Sequence, residues 1–302
     1  MTPCIKLDQP TQLNNYSNTM TMAIATPTAP LTAQQVYQAH YDRAWSDPKL
    51  KKQNDERKLS NQAKRIVIQT VIAPFIDHNT WINDLANGKC NDFQKYVDVL
   101  TPVWHPQDNR IRYIGSDISF EGVKEGQRRI AQQRLGHWFK SFQCDLMGQV
   151  IPSDGHLRQT LQLNKSRNNV VSVQNAIQYS FQSEETFQNM ITNMLISEPN
   201  VIFLTYPDPE KIRSGQQFKT ARISDVQIVD RFFGSQYNYC QSGTCVETPF
   251  QEYLVDETIL ESVLSEQGYD LIFDRSHMDI VGTPADSAVS LYKSTVFKKR
   301  AQ

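Results

Sequence analysis

Short apolar runs alternate with amphipathic stretches from residue 80 onward, and that rhythm restricts the fold more than anything else in the sequence. NTWIND reads as a short strand and NDFQKYVDVL as a helix. IRYIGSD is an apolar strand ending in an acid, and SFEGVKEGQRRIAQQRL is a helix with Ser119 as its cap. HWFKSFQCD alternates with period two, NNVVSVQ and NVIFLTY read as buried strands, and SEETFQNMITNML lies between those two as a capped helix. Strands alternating with helices of this length imply an α/β fold, with a mostly parallel sheet covered by helices on both faces. Upstream, Leu59, Ala63, Ile66, Val67 and Thr70 share one side of a helix that should end near Ala73–Pro74. Beyond Tyr206 the rhythm changes. A loop-rich segment (DPEKIRSGQQFKTARIS) leads to aromatic strands (VQIVDRFFGSQYNY), then ETPFQEYLV, a helix (DETILESVLSEQG) and closing strands near DLIFDR and AVSLYKSTVFKK. The domain reading is a flexible arm over 1–33 and one domain over 34–302, with a β-rich insertion at about 207–255 above the ligand edge.

In such a sheet the ligand crevice lies outside the carboxyl ends of the strands. Asp84, Gly88, Asp117, Asp145, Gln174 and Pro207 each stand at or just past a predicted strand end, so they should surround one opening. The stretch INDLANGKCNDFQKY (82–96) has the strand–turn–helix layout that holds small anionic or zwitterionic ligands. A dinucleotide would need G-x-G-x-x-G followed about 20 residues later by an acid, and that triplet is missing. S-adenosylmethionine fits better: it has a ribose diol for Asp117 to accept from, and no pyrophosphate.

The arm is polar, with Lys6 and Asp8 its only charges, and cannot bury enough surface to offset its ordering entropy. A net charge of −1 does not exclude RNA, since a local basic groove suffices. Cys4, Cys90, Cys144, Cys240 and Cys245 form no zinc spacing, and their odd number does not suggest a disulfide scaffold; no metal is expected and a reducing cytoplasm is the simpler setting. No run of roughly 18 apolar residues is present, so no membrane-spanning helix is expected.

Several segments resemble, in order, the motifs of the mRNA cap guanine-N7 methyltransferases. NDLANGKCNDFQKY is similar to their D-L-G-C-G-K-G-G-D-L-x-K-W loop, through Asp84, Leu85, Gly88, Lys89, Asp92 and Lys95. YIGSDIS resembles Y-x-G-x-D-I-A, and VVSVQNAIQYSFQS resembles I-S-x-Q-F-x-x-H-Y-x-F-E-S. FLTYPD, FQEYLVD and SLYKSTVFKK resemble the later strands, and the likeness runs from about 40 to 299. It implies a Rossmann-like class I methyltransferase, here in a stand-alone viral form, that moves a methyl from S-adenosylmethionine to the cap of RNA. Asp84, Ala86 and Gly88 would hold the methionine end, Asp117 and Ile118 the ribose, and Asp145, Leu146 and Gln174 the adenine. Gln178, Tyr179, Pro207, Glu252 and Tyr292 would bind the cap guanine, with Lys89 and Arg129 at the triphosphate. No catalytic side chain is implied beyond positioning. The partners implied are 5′-capped RNA and other capping-enzyme subunits.

The sequence departs from that pattern in places. Ala86, Asn87, Cys90 and Asn91 stand where the family has Gly, Cys, Gly and Gly, so an alanine β-carbon would crowd the ligand or force a changed backbone. Gln178 replaces the cap-site histidine, and Ile68 replaces a cofactor-facing lysine for which Lys64, one turn earlier, could substitute. These losses keep open a non-catalytic subunit that binds RNA or stimulates a capping enzyme, and also an enzyme acting on a small metabolite or another RNA atom. Arg128, Arg129, Lys49, Lys51 and Lys52 fit a solvated surface equally well, Tyr179 and Tyr292 fit ordinary strand aromatics, and Glu247 is a weaker rival to Glu252.

Overall fold

Alternate residues of the sheet strands enter two separate apolar cores, one on each face, which is why these strands read as continuous apolar runs. The computed structural model describes residues 35–36, 38–40, 42, 55–101, 111–133, 135–162, 168–241 and 249–301. The expected arm, Lys49, Lys51, Lys52, His105, Cys245 and Glu247 lie outside them. Strands β1 (Trp81–Leu85), β2 (Tyr113–Asp117), β3 (Phe139–Gln143), β4 (Asn169–Gln174), β5 (Val201–Pro207), β9 (Tyr269–Ser276) and β10 (Tyr292–Lys299) form one sheet in the order β3-β2-β1-β4-β5-β10-β9. The first five are parallel, and β10 runs antiparallel to both its neighbours. The strand order reverses between β1 and β4, which sets the ligand crevice at their carboxyl ends.

On one face Trp81, Ile114, Val171, Ile202, Leu204 and Phe297 pack under α4 (His156–Gln162), α5 (Ile177–Ser180), α6 (Glu184–Leu195) and α8 (Glu257–Glu266). On the other, Ile82, Tyr113, Val170, Phe203 and Val296 meet α1 (Asp55–Val67), α2 (Phe93–Leu100) and α3 (Phe120–Gln132). Each fully buried Leu or Phe contributes about 1.5–3 kcal/mol before the entropy of ordering it is subtracted. The two expected caps are present, Ser119 Oγ accepting from Gly122 N at 2.9 Å and Ser183 closing a capping box with Thr186, and Asp256 Oδ1 caps a third helix by accepting from Ile259 N at 3.1 Å.

A second, three-stranded antiparallel sheet follows β5 in the chain: β6 (Ala221–Gln227), β7 (Gln236–Gln241) and β8 (Phe250–Tyr253). Here the structure corrects two expectations. DPEKIR is not loop but the short helix α7 (Pro209–Arg213), started by Asp208 and by Pro209, whose missing N–H would be unpaired there anyway. ARIS, expected as loop, is instead the start of β6, and within VQIVDRFFGSQYNY an irregular turn over 228–235 separates β6 from β7. Helices α4 and α9 (His277–Val281) were not foreseen, and α1 passes through a π-turn (Ile68–Ile72) before ending at Phe75. No helix among the described residues is long and apolar enough to cross a membrane.

Candidate functional site

After β1 the chain must reverse within a few residues, and it does so through three left-handed positions: Ala86 (φ 55°), Gly88 (φ 54°) and Cys90 (φ 58°). A β-carbon in that region costs about 1–2 kcal/mol, so the turn is made at two strained non-glycine residues. The space that glycine would have left is supplied from behind. A β-carbon on Gly115 would lie 2.1 Å from Asn87 Nδ2, and one on Gly126 would lie 2.5 Å from Cys90 Sγ. The enlarged side chains of the loop therefore rest on bare backbone in β2 and α3, and Asn87 Nδ2 donates to Cys90 Sγ at 3.1 Å. Ala86 is accommodated by taking a left-handed backbone itself.

Asp117, the last residue of β2, holds the loop in place. Its Oδ2 accepts from Gly88 N at 2.7 Å and its Oδ1 from Ser119 N at 2.8 Å. Burial pushes its carboxyl up to about 6, helped by the charge of Asp42 and opposed by those two backbone bonds. Asp42 also accepts from Ser119 Oγ at 2.5 Å, while His40 stacks on Phe250 of β8 at 4.0 Å, so the segment before α1 touches both sides of the site.

Beneath the loop lies a buried ionic cluster. Lys64 of α1 reaches Asp92 at 3.3 Å, and Lys95 pairs with the same carboxylate. Burial alone would raise Asp92, but the two ammonium groups hold it below the usual carboxylate range; burial lowers Lys64. Asp84 accepts from the Tyr113 hydroxyl, and burial together with the charge of Asp92 pushes it up to about 7.

One cleft, with a cavity of about 250 Å³, opens over the β1–β4 switch point. Lys64, Ala86, Gly88, Asp117, Ile118, Asp145, Leu146 and Gln174 line it on the loop side, and Gln178, Tyr179, Glu252 and Tyr292 line the opposite wall. Asp145 Oδ1 accepts from Gly148 N at 2.8 Å, and Gln174 is fixed by Phe203 O and Thr205 Oγ1. On the far wall Glu252 is buried, accepting from Tyr179 at 2.8 Å and Tyr237 at 2.7 Å; burial raises it, against both hydroxyls. Tyr292 donates to Tyr239, Tyr239 to Gln241, and Gln241 to Glu56 of α1 at 3.4 Å. Gln178 donates to Asn175 O at 3.2 Å, and its buried Oε1 takes no bond from the protein. Tyr179 is a residue of α5, not of a strand.

Four expected site residues are not on the lining. Asp84 is sealed under the loop by its bond to Tyr113. Lys89 is buried in the loop and is not among the residues that line the cleft. Arg129 is held by Glu125 and by Asn91 Oδ1 at 2.9 Å. Pro207 is buried in the sheet opposite Tyr292. The structure adds Glu56, Arg57, Ser60 and Asn61 from α1, and Tyr239 and Gln241 from β7. The spacing of 57, 60, 61 and 64 along one helix face could have marked the first group. Among the described residues no group of His, Cys, Asp or Glu is placed to hold a metal ion.

An acid at the end of β2, a tight turn after β1 and an apolar wall at Leu146 and Met147, on this strand order, define a class I methyltransferase of the S-adenosylmethionine-dependent type. The chain belongs to the mRNA (guanine-N(7))-methyltransferase domain family, whose model matches residues 28–300. Among solved structures it is similar to the CcbJ methyltransferase from Streptomyces caelestis, at 12% identity and a TM-score of 0.54 over 89% of this chain and 100% of that one. It is also similar to the PH0226 protein from Pyrococcus horikoshii OT3, at 9% identity and a TM-score of 0.51 over 86% of this chain and 99% of that one. At such identities the likeness concerns the fold alone. No curated protein sequence matched.

Proposed function

We propose that this chain methylates N7 of the 5′ guanosine cap of RNA, with S-adenosylmethionine as donor. The observation that carries the reading is that Asp117 and Glu252 line one continuous cleft, so that a donor seat and a purine seat face each other. The residues present suit the donor. Asp117 has acceptor capacity beyond its two backbone bonds for a ribose diol, Leu146 and Met147 offer an apolar wall for adenine, and the Gly88 turn allows close backbone approach. Bound there, the donor supplies a methyl on a sulfonium, already a good leaving group.

The chain's own work is orientation. Glu252 accepts from the guanine N1–H and exocyclic amine, and Gln178 Oε1 is a second buried acceptor beside it. Tyr179 and Tyr237 hold the Glu252 carboxylate in place. Guanine N7 has a lone pair and no proton to lose, so no general base is required; holding it in line can supply ~7–11 kcal/mol. Arg57 replaces Lys89 and Arg129 as the cation for the triphosphate, because it lines the cleft and they do not. Lys64, also on the lining, takes the role left empty by Ile68. Capped RNA is thus the proposed partner.

The test is transfer of labelled methyl to capped RNA, followed by nucleoside identification. The expected product is 7-methylguanosine. Donor binding without transfer to any RNA would instead favour a non-catalytic subunit, and label on uncapped RNA would favour another acceptor atom.

A further inference from the structure

Behind the cleft, between α1 and β10, lies a buried histidine that the proposed reaction leaves unused. His277 opens α9 and is fully buried. Its Nδ1 lies 3.3 Å from Ser60 Oγ of α1, and its Nε2 lies 2.9 Å from Ser294 Oγ of β10. Its ring also sits 6.1 Å from that of Tyr292, so it packs behind two walls of the cleft at once. The start of α9 is itself fixed: Ser276 Oγ accepts from Met278 N at 3.2 Å and from Lys211 Nζ at 3.1 Å.

Proton counting sets the direction of this chain of bonds. Burial, with the charges of Lys64 and Lys211, lowers the imidazole to about 3 against the charge of Asp92, so at neutral pH the ring carries a single N–H. Ser294 is fully buried, and the ring is the only partner of its hydroxyl among the described residues. If Nε2–H donated to Ser294, the Ser294 proton would be buried and unmet, which folded proteins avoid more strictly than an unused lone pair. The arrangement that meets every buried proton has Ser294 donating to Nε2 and Nδ1–H donating to Ser60 Oγ. The Ser60 proton is then directed away from His277. Ser60 is only partly buried and lines the cleft.

The cleft face of α1 indicates what such a donor meets. Arg57, Ser60, Asn61 and Lys64 all line the cleft, at helical spacing. The nearby acids are engaged elsewhere: Glu56 accepts from Ala288 N at 3.0 Å and Ser287 Oγ at 3.2 Å, and Asp92 accepts from Lys64 and Lys95. A hydroxyl proton standing between Arg57 and Lys64 suits an anionic oxygen. We infer that Ser60 is a ligand contact donating to such an oxygen, either the carboxylate of the methyl donor or a phosphate of the cap bridge, and that His277 is the positioning residue that aims it. The inference rests on the capped-RNA reading of the cleft, in which both anions are present.

Titration calorimetry with S-adenosylmethionine and with the unmethylated cap dinucleotide reads the two sources separately. Ser60→Ala should weaken the ligand whose anion it meets roughly 10- to 100-fold and leave the other within threefold. His277→Asn keeps an amide nitrogen near the Nδ1 position and should stay within threefold of wild type. His277→Gln reaches only toward Ser294 and should fall as Ser60→Ala does, while denaturant melts show both histidine variants losing similar stability. Wild-type affinity of Ser60→Ala for both ligands overturns the inference. So does an equal loss toward both, which marks a general disturbance of α1, and so does equal ligand binding by the Asn and Gln variants. If the histidine variants do not fold, Ser60→Ala alone decides. Should wild type bind neither ligand, the reading of the cleft has failed and this inference with it; binding of either by wild type, matched by Ser60→Ala, removes this inference alone.

Discussion

Asp117→Asn should separate stability from function. In the wild type burial pushes the carboxyl up to about 6 from its ordinary value of 3.8. Burying it ionised destabilises the folded chain by about 3 kcal/mol at pH 7. The sign follows from proton binding. Between about pH 4 and 6 the folded state holds the proton that the unfolded state has lost, so stability falls as pH rises through that window and the cost is complete above it. Asparagine removes this charge and keeps one acceptor, but it turns an amide toward one of the two backbone donors, Gly88 N or Ser119 N. Leaving that N–H unmet costs about 1–3 kcal/mol. The variant should therefore be between unchanged and about 2 kcal/mol more stable at pH 7, and should lose the wild type's fall in stability from pH 4 to 6. S-adenosylmethionine would meanwhile lose charge-assisted bonds from its diol, about 3 kcal/mol or roughly 100-fold in Kd. Denaturant melts across pH and titration calorimetry read the two effects. An affinity within threefold of wild type, or a destabilisation above 2 kcal/mol, would refute the reasoning.

Three further outcomes are expected. Glu252→Gln should bind S-adenosylmethionine normally yet transfer methyl to capped RNA at least 100-fold more slowly, because a buried acceptor pair becomes a mixed donor and acceptor; single-turnover transfer checks it. Arg57→Ala should raise KM for the cap dinucleotide roughly 10- to 100-fold and flatten its salt dependence, whereas Arg129→Ala should change it less than threefold. Gly126→Ala should destabilise the chain by about 2 kcal/mol through the clash with Cys90 Sγ, and Cys90→Ala should recover most of that loss in a double-mutant cycle measured by denaturant melts.

Much of the architecture was legible because its signals are local. Ser119, Ser183 and Asp256 mark helix starts, and the short apolar runs at 169–174 and 201–207 read as strands buried on both faces, as they are. That Asp117, Asp145 and Gln174 line one cleft followed from their places at strand ends. What failed depended on direction rather than position. Lys89 sits in the right loop, but the left-handed residues around it decide where its side chain goes, and φ is not written in the residue names. Arg129 was in place on its helix, yet Glu125 one turn earlier and Asn91 across the gap hold it elsewhere. Arg57 was not singled out, because the clamp on its neighbour, in which Ala288 N donates to Glu56 Oε1 at 3.0 Å, joins residues 232 positions apart in the chain. The turn at 228–235 reads like strand because its exposed aromatic side chains mimic a buried pattern.

Helix α1 also acts as a ruler. Arg57 and Lys64 are seven residues apart on one face, so backbone hydrogen bonds set their Cα spacing at about 10 Å. That interval cannot be tuned gradually: one inserted residue would add about 1.5 Å and swing the far end by about 100°. Any variant that needs a longer reach between its two anchors must gain whole turns or abandon one anchor.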